Sequence, residues 1–322
     1  MEDSQLISIP EFENKSIEEI SKQIKDFKLL LNNDIPFDEI KSRIQQICQG
    51  YRKENYHWFR FREGLYRARK HENEWEKKYF NKTADLWYRD WSKTDKSNYK
   101  YGRLNLPGQN FMYLSISRNA SLIEVRPKEG DWVTVANIVP LNPNSKINLC
   151  LVAENYLRNA HPDLKNIIQE PNIGNRRLER DSFDKMQLID NFLIDTFTLK
   201  VEEDCDYKYK PSVAVWEYLN EISTQLNNFG IIYPSIAFNY DTVNVGLIPS
   251  AVDYQYGIDQ LITFSIDSIK CDGDYTLIDV SPLQIGISSR VTSGNVKIEW
   301  RNPTYEEVKE YSTEIKYSLI SY

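Results

Sequence analysis

The stretch from Tyr101 to Pro127, YGRLNLPGQNFMYLSISRNASLIEVRP, constrains the fold more than any other part of the chain. Pro107-Gly108 is a turn dipeptide: proline presets φ, and glycine takes the positive φ that a side chain resists. Phe111 to Ser115 then reads as a short strand. Glu124 closes the stretch among Leu122, Ile123 and Val125, so its carboxylate is expected to be buried. A loop, a strand and a further element in quick succession would bring together a guanidinium (Arg103), a phenol (Tyr113) and an acid (Glu124). Those three groups outline a nucleotide site.

Upstream, Ser16 followed by Glu19 has the form of a capping box. Ile17, Ile20, Ile24, Phe27 and Leu31 recur at helical spacing. Asp34 is expected to cap a second helix, with Pro36 in its first turn and Ile40, Ile44 and Ile47 on one face. Aromatic and basic residues alternate from His57 to Arg62, and Gly64 ends the run. Leu65 to Arg69 reads as a strand whose period of two puts Arg67 and Arg69 on one face. Two planar forks side by side suit a diphosphate, and a solvated strand face is the plainer account of the same pattern. Residues 70–100 carry Trp75, Tyr79, Trp87, Tyr88 and Trp91 without a clear period. They are expected as an insertion, mobile or helical, that partly covers the site. The tripeptides at Asn81 and Asn119 match the glycosylation pattern, a chance match in a cytosolic chain.

Downstream, Trp132 to Val139 alternates as a strand and Pro140 ends it. Ile147 to Leu151 starts another element, leading into a helix around Leu151 to Asn159. Residues 160–182 hold Pro162, Pro171, Gly174 and the basic cluster Arg176, Arg177 and Arg180, the marks of a loop. Phe183 to Thr198 has helical period. Pro211 opens an amphipathic helix with Trp216, Leu219, Ile222 and Leu226 on its apolar face, stopped by Gly230. Ile231 to Ser235 is short and apolar, so it is expected as a central strand, with Pro234 leaving Ser235 at its end. Val243 to Ile248 is a further strand. Residues 261–300 are strongly β, with Ile262, Phe264 and Ile266 on one face and hairpin signals at Asp272-Gly273 and Gly294-Asn295. Thr304 to Lys316 reads as a charged C-terminal helix. The pattern is that of an α+β protein. It divides along the chain into an N-terminal helical extension (1–55), a central domain (56–255) and a C-terminal β-rich extension (256–322).

A chain of 322 residues can bury a sizeable core as one large domain or two small ones. Its net charge of −7 argues against a general nucleic-acid binder. Cys48, Cys150, Cys205 and Cys271 are far apart, and there are three histidines, so neither a zinc site nor a disulfide frame is expected. The start, MEDSQLISIP, lacks the basic and apolar regions of a signal peptide. No apolar run approaches the roughly 18 residues of a membrane span. These features point to a soluble, cytoplasmic protein with no membrane partner.

Three segments, in this order, resemble the RES domain family: Gly64 to Arg69 (GLYRAR), the Tyr101 to Pro127 block, and Gly230 to Pro249 (GIIYPSIAFNYDTVNVGLIP). The family takes its name from an arginine, a glutamate and a serine, which match Arg67, Glu124 and Ser235. Leu104 stands where many members carry an aromatic residue, and the interval from Arg67 to Arg103 is longer than in compact members. The resemblance implies an ADP-ribosyltransferase-like fold, a split mixed β core with flanking helices around a cleft for NAD. It implies cleavage of the nicotinamide–ribose bond by water or phosphate. NAD is then a substrate, phosphate a candidate co-substrate, and no cofactor or metal is called for. Many members are toxins paired with a helix-turn-helix antitoxin, which makes such a protein a candidate partner; a second copy of the chain is another.

The resemblance also implies roles. Glu124 would stabilise positive charge on the ribose, as fixed carboxylates do in glycoside cleavage. Arg67 would grip the diphosphate or the attacking phosphate, and Arg103 the other of the two. Tyr113 would stack on nicotinamide, and Ser235 would orient the nicotinamide ribose or amide. Tyr66, Asn105 and Arg69 would complete the substrate contacts. No Gly-rich dinucleotide fingerprint is present, so a Rossmann mode is not expected. Two other functions remain open: transfer of ADP-ribose to a protein, and a silent nucleotide-binding module whose N-terminal helices hold a partner.

Overall fold

The computed structural model describes residues 14–51, 56–71, 79–88, 95–152, 180–202, 205–222, 229–237, 242–272, 275–291 and 296–318. The fold is α+β, with seven α-helices and eleven strands among those residues. Two compact units share the chain. The first comprises Met1–Trp58, Trp91–Gln109 and Asn148–Asn228; the second comprises Phe59–Asp90, Asn110–Ile147 and Phe229–Tyr322.

Four helices build the first unit. Helix α1 (Ile17–Leu30) starts at Ser16, whose hydroxyl accepts from the Glu19 amide at 3.1 Å. It buries Ile20, Ile24 and Phe27, the face that the spacing predicts. Helix α2 (Phe37–Ile47) buries Ile40, Ile44 and Ile47, but Pro36 sits at its cap position and supplies no side-chain bond. Asp34 does not cap it. Capping by Asp34 would need Ile35 in helical backbone, which a residue before proline avoids, and Asp34 instead pairs with Lys210 at 2.6 Å. Helix α4 (Arg180–Phe197; α3, Arg118–Glu124, belongs to the second unit) begins at Arg180, inside the segment expected as a loop. Helix α5 (Lys210–Ile222) buries Trp216 and Leu219, while Ile222 at its end is exposed. Phe27 meets Phe192 edge-on with ring centres 5.3 Å apart, and the Tyr51 hydroxyl donates to Asp190 at 2.5 Å. Strands β1 (Tyr56–Phe59) and β5 (Ile147–Leu151) pair with each other and lie mainly in this unit. Most of the helix expected at Leu151 to Asn159 falls outside the described residues, as do Arg176, Arg177 and Leu226.

The second unit is an antiparallel sheet with short helices. Its strands are β2 (Leu65–Lys70), β3 (Met112–Ser115), β4 (Trp132–Pro140), β6 (Gly230–Pro234), β7 (Val243–Leu247), β8 (Tyr256–Asp272), β9 (Tyr275–Val291), β10 (Glu299–Arg301) and β11 (Thr313–Ser318). They run in the order β6-β7-β3-β2-β4-β8-β9-β10, with β11 also on β9. Strands β8 and β9 pair antiparallel up to Asp272 and Tyr275, as the hairpin signal at Asp272-Gly273 predicts; Gly273 and Gly294-Asn295 lie outside the described residues. Helix α3 (Arg118–Glu124) buries Leu122 and Ile123 against Val133, Val135, Ile262, Phe264 and Ile266. Each such apolar side chain contributes about 1.5–3 kcal/mol on burial.

The described part of residues 70–100 carries two short 3-10 helices, Thr83–Leu86 and Lys96–Asn98, and Trp75 and Trp91 lie outside the described residues. Trp87 and Tyr88 tie this segment to helix α6 (Pro249–Gln255) by donating to the two oxygens of Asp253 at 2.9 and 2.8 Å. The C-terminal helix is shorter than its charge pattern suggests. Helix α7 (Tyr305–Tyr311) stops at Ser312, and Thr313–Ser318 pairs with β9, burying Ile315. A buried cross-strand position there outweighs the helical propensity of the charged residues. No described helix is long and apolar enough to cross a membrane.

Candidate active site

The site begins where the sheet of the second unit comes apart. Strand β2 pairs with β4 along its whole length, from Leu65–Ile138 to Lys70–Val133. With β3 it shares one residue pair, Tyr66–Ser115. Beyond that point the strands diverge, and Arg67 reaches across to donate from Nη1 to the Tyr113 carbonyl at 3.0 Å. No other hydrogen bond to the Arg67 guanidinium is made by the described residues, and its Nε is buried without an acceptor. Burial, with the charge of Arg69 adding to it, pulls Arg67 down to about 9, against a smaller opposing effect of Tyr113. It therefore remains a cation at neutral pH.

Gly64 sets the start of β2. Its φ of +88° lies in the region that favours glycine, and a Cβ there would come within 2.3 Å of Asn137 Oδ1 and 2.9 Å of the Ile138 carbonyl. The glycine that ends the aromatic–basic run is thus what lets β2 lie close on β4.

Glu124 is the last residue of α3. Ser117 caps the helix by accepting from the Ala120 amide at 3.3 Å, and Arg126, at φ +48°, turns the chain away after it. The apolar neighbours of Glu124 suggest a buried acid, but the residue is exposed, because the helix turns Leu122 and Ile123 to the sheet. Its carboxylate is nonetheless fixed. Oε1 accepts from Ser235 Oγ at 2.5 Å and from Asn244 Nδ2 at 2.6 Å. Among the described residues, no donor reaches Oε2. Ser235 is fully buried just past the end of β6, and its amide donates to the Thr242 carbonyl at 2.8 Å.

These groups surround a cleft of about 260 Å³. Arg67, Tyr113, Glu124, Tyr66 and Asn244 line it, together with Tyr233. Ser235, expected at the nicotinamide ribose, makes its contact with Glu124 and is not part of the lining. Arg69 shares a face of β2 with Arg67 but does not line the cleft either. Arg103 and Asn105 belong to the first unit. There the Arg103 guanidinium donates to the carbonyls of Phe197 at 2.5 Å and Leu199 at 3.2 Å, closing the C-terminal end of α4, and lies 5.2 Å from the centre of the Tyr209 ring. Asn105 is buried and donates to the Lys100 and Leu106 carbonyls at 3.3 and 3.1 Å.

Asn244 and Tyr233 line the cleft and are missing from the sequence-based expectations. Asn244 Nδ2 holds Glu124, and its Oδ1 is buried with no donor. A signal was present: Asn244 is the one polar residue in VNVGL, a strand buried at every position, and a buried amide needs partners. Among the described residues no group of three histidines, cysteines or acids is placed to hold a metal ion. All four cysteines are free.

The cleft thus offers a fixed carboxylate, an under-bonded buried guanidinium and an orphaned amide oxygen. It can take a ligand that brings positive charge to Glu124, an acceptor to Arg67 and a hydroxyl or N–H to Asn244. No protein-family model, curated protein or solved structure matches the chain.

Proposed function

We propose that the protein degrades NAD by breaking the bond between nicotinamide and ribose, with water or phosphate as acceptor. The observation that carries this reading is the pairing, in one cleft, of Glu124 with Arg67. Two donors hold one oxygen of Glu124, while Arg67 makes a single hydrogen bond among the described residues. These residues are far apart in sequence, and they match the glutamate and arginine of the RES resemblance.

The chemistry follows from the charges. The bond between C1′ and the pyridinium nitrogen breaks, its electron pair leaves with nicotinamide, and nicotinamide departs neutral. Positive charge then spreads over C1′ and the ring oxygen of the ribose. Glu124 Oε2, to which no described residue donates, faces that charge or takes a ribose hydroxyl. Ser235 and Asn244 keep the carboxylate from turning away, so the reorganisation is done before the reaction. The attacking oxygen of water or phosphate forms the new bond to C1′, and a water proton is released to solvent. Arg67 supplies a positive, hydrogen-bonding wall for the diphosphate or for the attacking phosphate. Tyr113 and Tyr233 offer ring faces for the nicotinamide. Ser235 acts through Glu124 and is a positioning residue.

The test is nicotinamide release from NAD by the purified protein, with and without phosphate. Release is expected in at least one condition. Glu124→Gln is expected to lower it by about a hundredfold or more while the fold survives. Ser235→Ala is expected to cost about tenfold or more, the worth of one hydrogen bond to a charged group. No release in either condition would overturn the reading. Label from NAD appearing on protein would replace it with ADP-ribose transfer.

A further inference from the structure

We propose that a second cavity in the sheet unit binds a small hydroxylated oxyanion, a sugar phosphate or a sugar acid. The cavity, of about 400 Å³, is larger than the Glu124 cleft and of the size that holds small molecules. It lies over a cross-strand row. Tyr66 on β2 pairs with Asn137 on β4, which pairs with Gln260 on β8. Val135 and Ile262, paired one step along the same face, give the row an apolar floor.

Arg118, the first residue of α3, supplies the charge. Its guanidinium lies 5.2 Å from the ring centre of Tyr311 and 5.8 Å from that of Phe264. Among the described residues it has neither a hydrogen-bond acceptor nor an ion-pairing carboxylate. The rings hold it in place and leave its fork of donors unused. Gln260 Nε2 donates to the Tyr311 hydroxyl at 3.2 Å, which fixes the opposite wall. The Asn137 side chain has no hydrogen-bond partner among the described residues, and its Oδ1 is buried without a donor. Burial raises the Tyr66 phenol, and the charge of Arg118 works against that rise, as expected for a cation close to the hydroxyl.

An oxyanion answers Arg118 with paired hydrogen bonds. A bare anion would meet Glu310, an exposed carboxylate on the cavity wall. Hydroxyl groups on the ligand donate to that carboxylate. The ligand chemistry that satisfies both charges is therefore an anion carrying hydroxyls. This inference does not rest on the proposed NAD chemistry, although Tyr66 borders both cavities.

The experiment is calorimetry on the full chain with glucose 6-phosphate, gluconate and glucose as probes. At least one of the two anions is expected to bind, with glucose at least tenfold weaker; which anion binds tells phosphate from carboxylate. Hydrogen exchange on the unaltered protein should then show new protection at 117–119, 260–262 and 310–311. Arg118→Gln should weaken binding about tenfold or more, and Glu124→Gln should leave it unchanged. Absence of binding by both anions overturns the proposal. So does glucose binding as tightly as either anion, or protection confined to the Glu124 cleft.

Discussion

Arg67 shows at the scale of one side chain how this fold trades stability for a site. A buried guanidinium with one hydrogen bond is costly, since charge and unused donors have both left water. Its lowered value, about 9, expresses that cost. The unfolded chain keeps the ordinary, higher arginine value, so between the two values the unfolded state binds more protons. Stability contributed by this position therefore rises with pH through that window, and the penalty is fully present below about 9. Arg67→Met removes the charge at similar volume and is expected to stabilise the fold by about 1 kcal/mol or more at pH 7. The same variant is expected to lose nicotinamide release. Thermal melts of the two proteins at pH 7 and pH 10 check the sign: the gap should narrow at the higher pH.

Whole elements were legible where one face alone decides the structure. The spacing of Ile20, Ile24 and Phe27 reads as a helix because burial follows the same period. Asp272-Gly273 signals a hairpin because a turn signal is read from neighbouring residues alone, and β8 and β9 do pair on either side of it. Neither Asn244 nor the divergence of β2 from β3 could be read this way, because both depend on which strands become neighbours. Glu124 shows both sides of this. The resemblance led to the expectation that it shares a cleft with Arg67, whereas its exposure could not be read, because the direction of the last turn of α3 is set by packing on β4 and β8. The C-terminal segment shows how a charge pattern misleads. Thr304 and Glu307 form a capping box, with Glu307 accepting from the Thr304 amide at 2.8 Å, and this motif does start a helix. Arg301 reaches the same carboxylate at 2.7 Å. Arg301, followed by the Thr304 amide, holds Glu307 down at about 2. A depressed acid stabilises the fold above the ordinary glutamate range, and that support is lost as pH falls toward 2. The pair faces solvent, so the effect is modest and screened by salt. Glu307→Gln should lower the melting temperature at pH 6, and the difference from the unaltered protein should shrink steadily as the pH is taken below 4.

At the scale of the molecule, contact rather than chain order draws the boundaries. Residues read from sequence as an N-terminal extension share a compact unit with Asn148–Asn228. In that unit Phe27 packs on Phe192, Tyr51 binds Asp190, and Lys41 bridges Glu217 and Glu221 at 2.7 and 2.6 Å. These contacts make α1 and α2 part of the same core as α4 and α5. An element that only leans on its neighbours opens alone, whereas one that completes a core opens with it. Phe27→Ala removes a fully buried ring and should cost about 3–5 kcal/mol. Hydrogen exchange then separates the two cases. With a shared core, amides of 180–197 and 210–222 should lose protection together with those of 17–30 and 37–47. With a mere appendage, only 17–47 would respond. Phe264→Ala, in the core under α3, should instead release amides of 118–124, 132–140 and 256–266, since Phe264 packs with Leu122, Val133 and Val135. If the units open separately, the Glu124 cleft, built wholly from residues of the second unit, keeps its geometry when the first is loosened, and Phe27→Ala should spare nicotinamide release at temperatures where the helices already exchange.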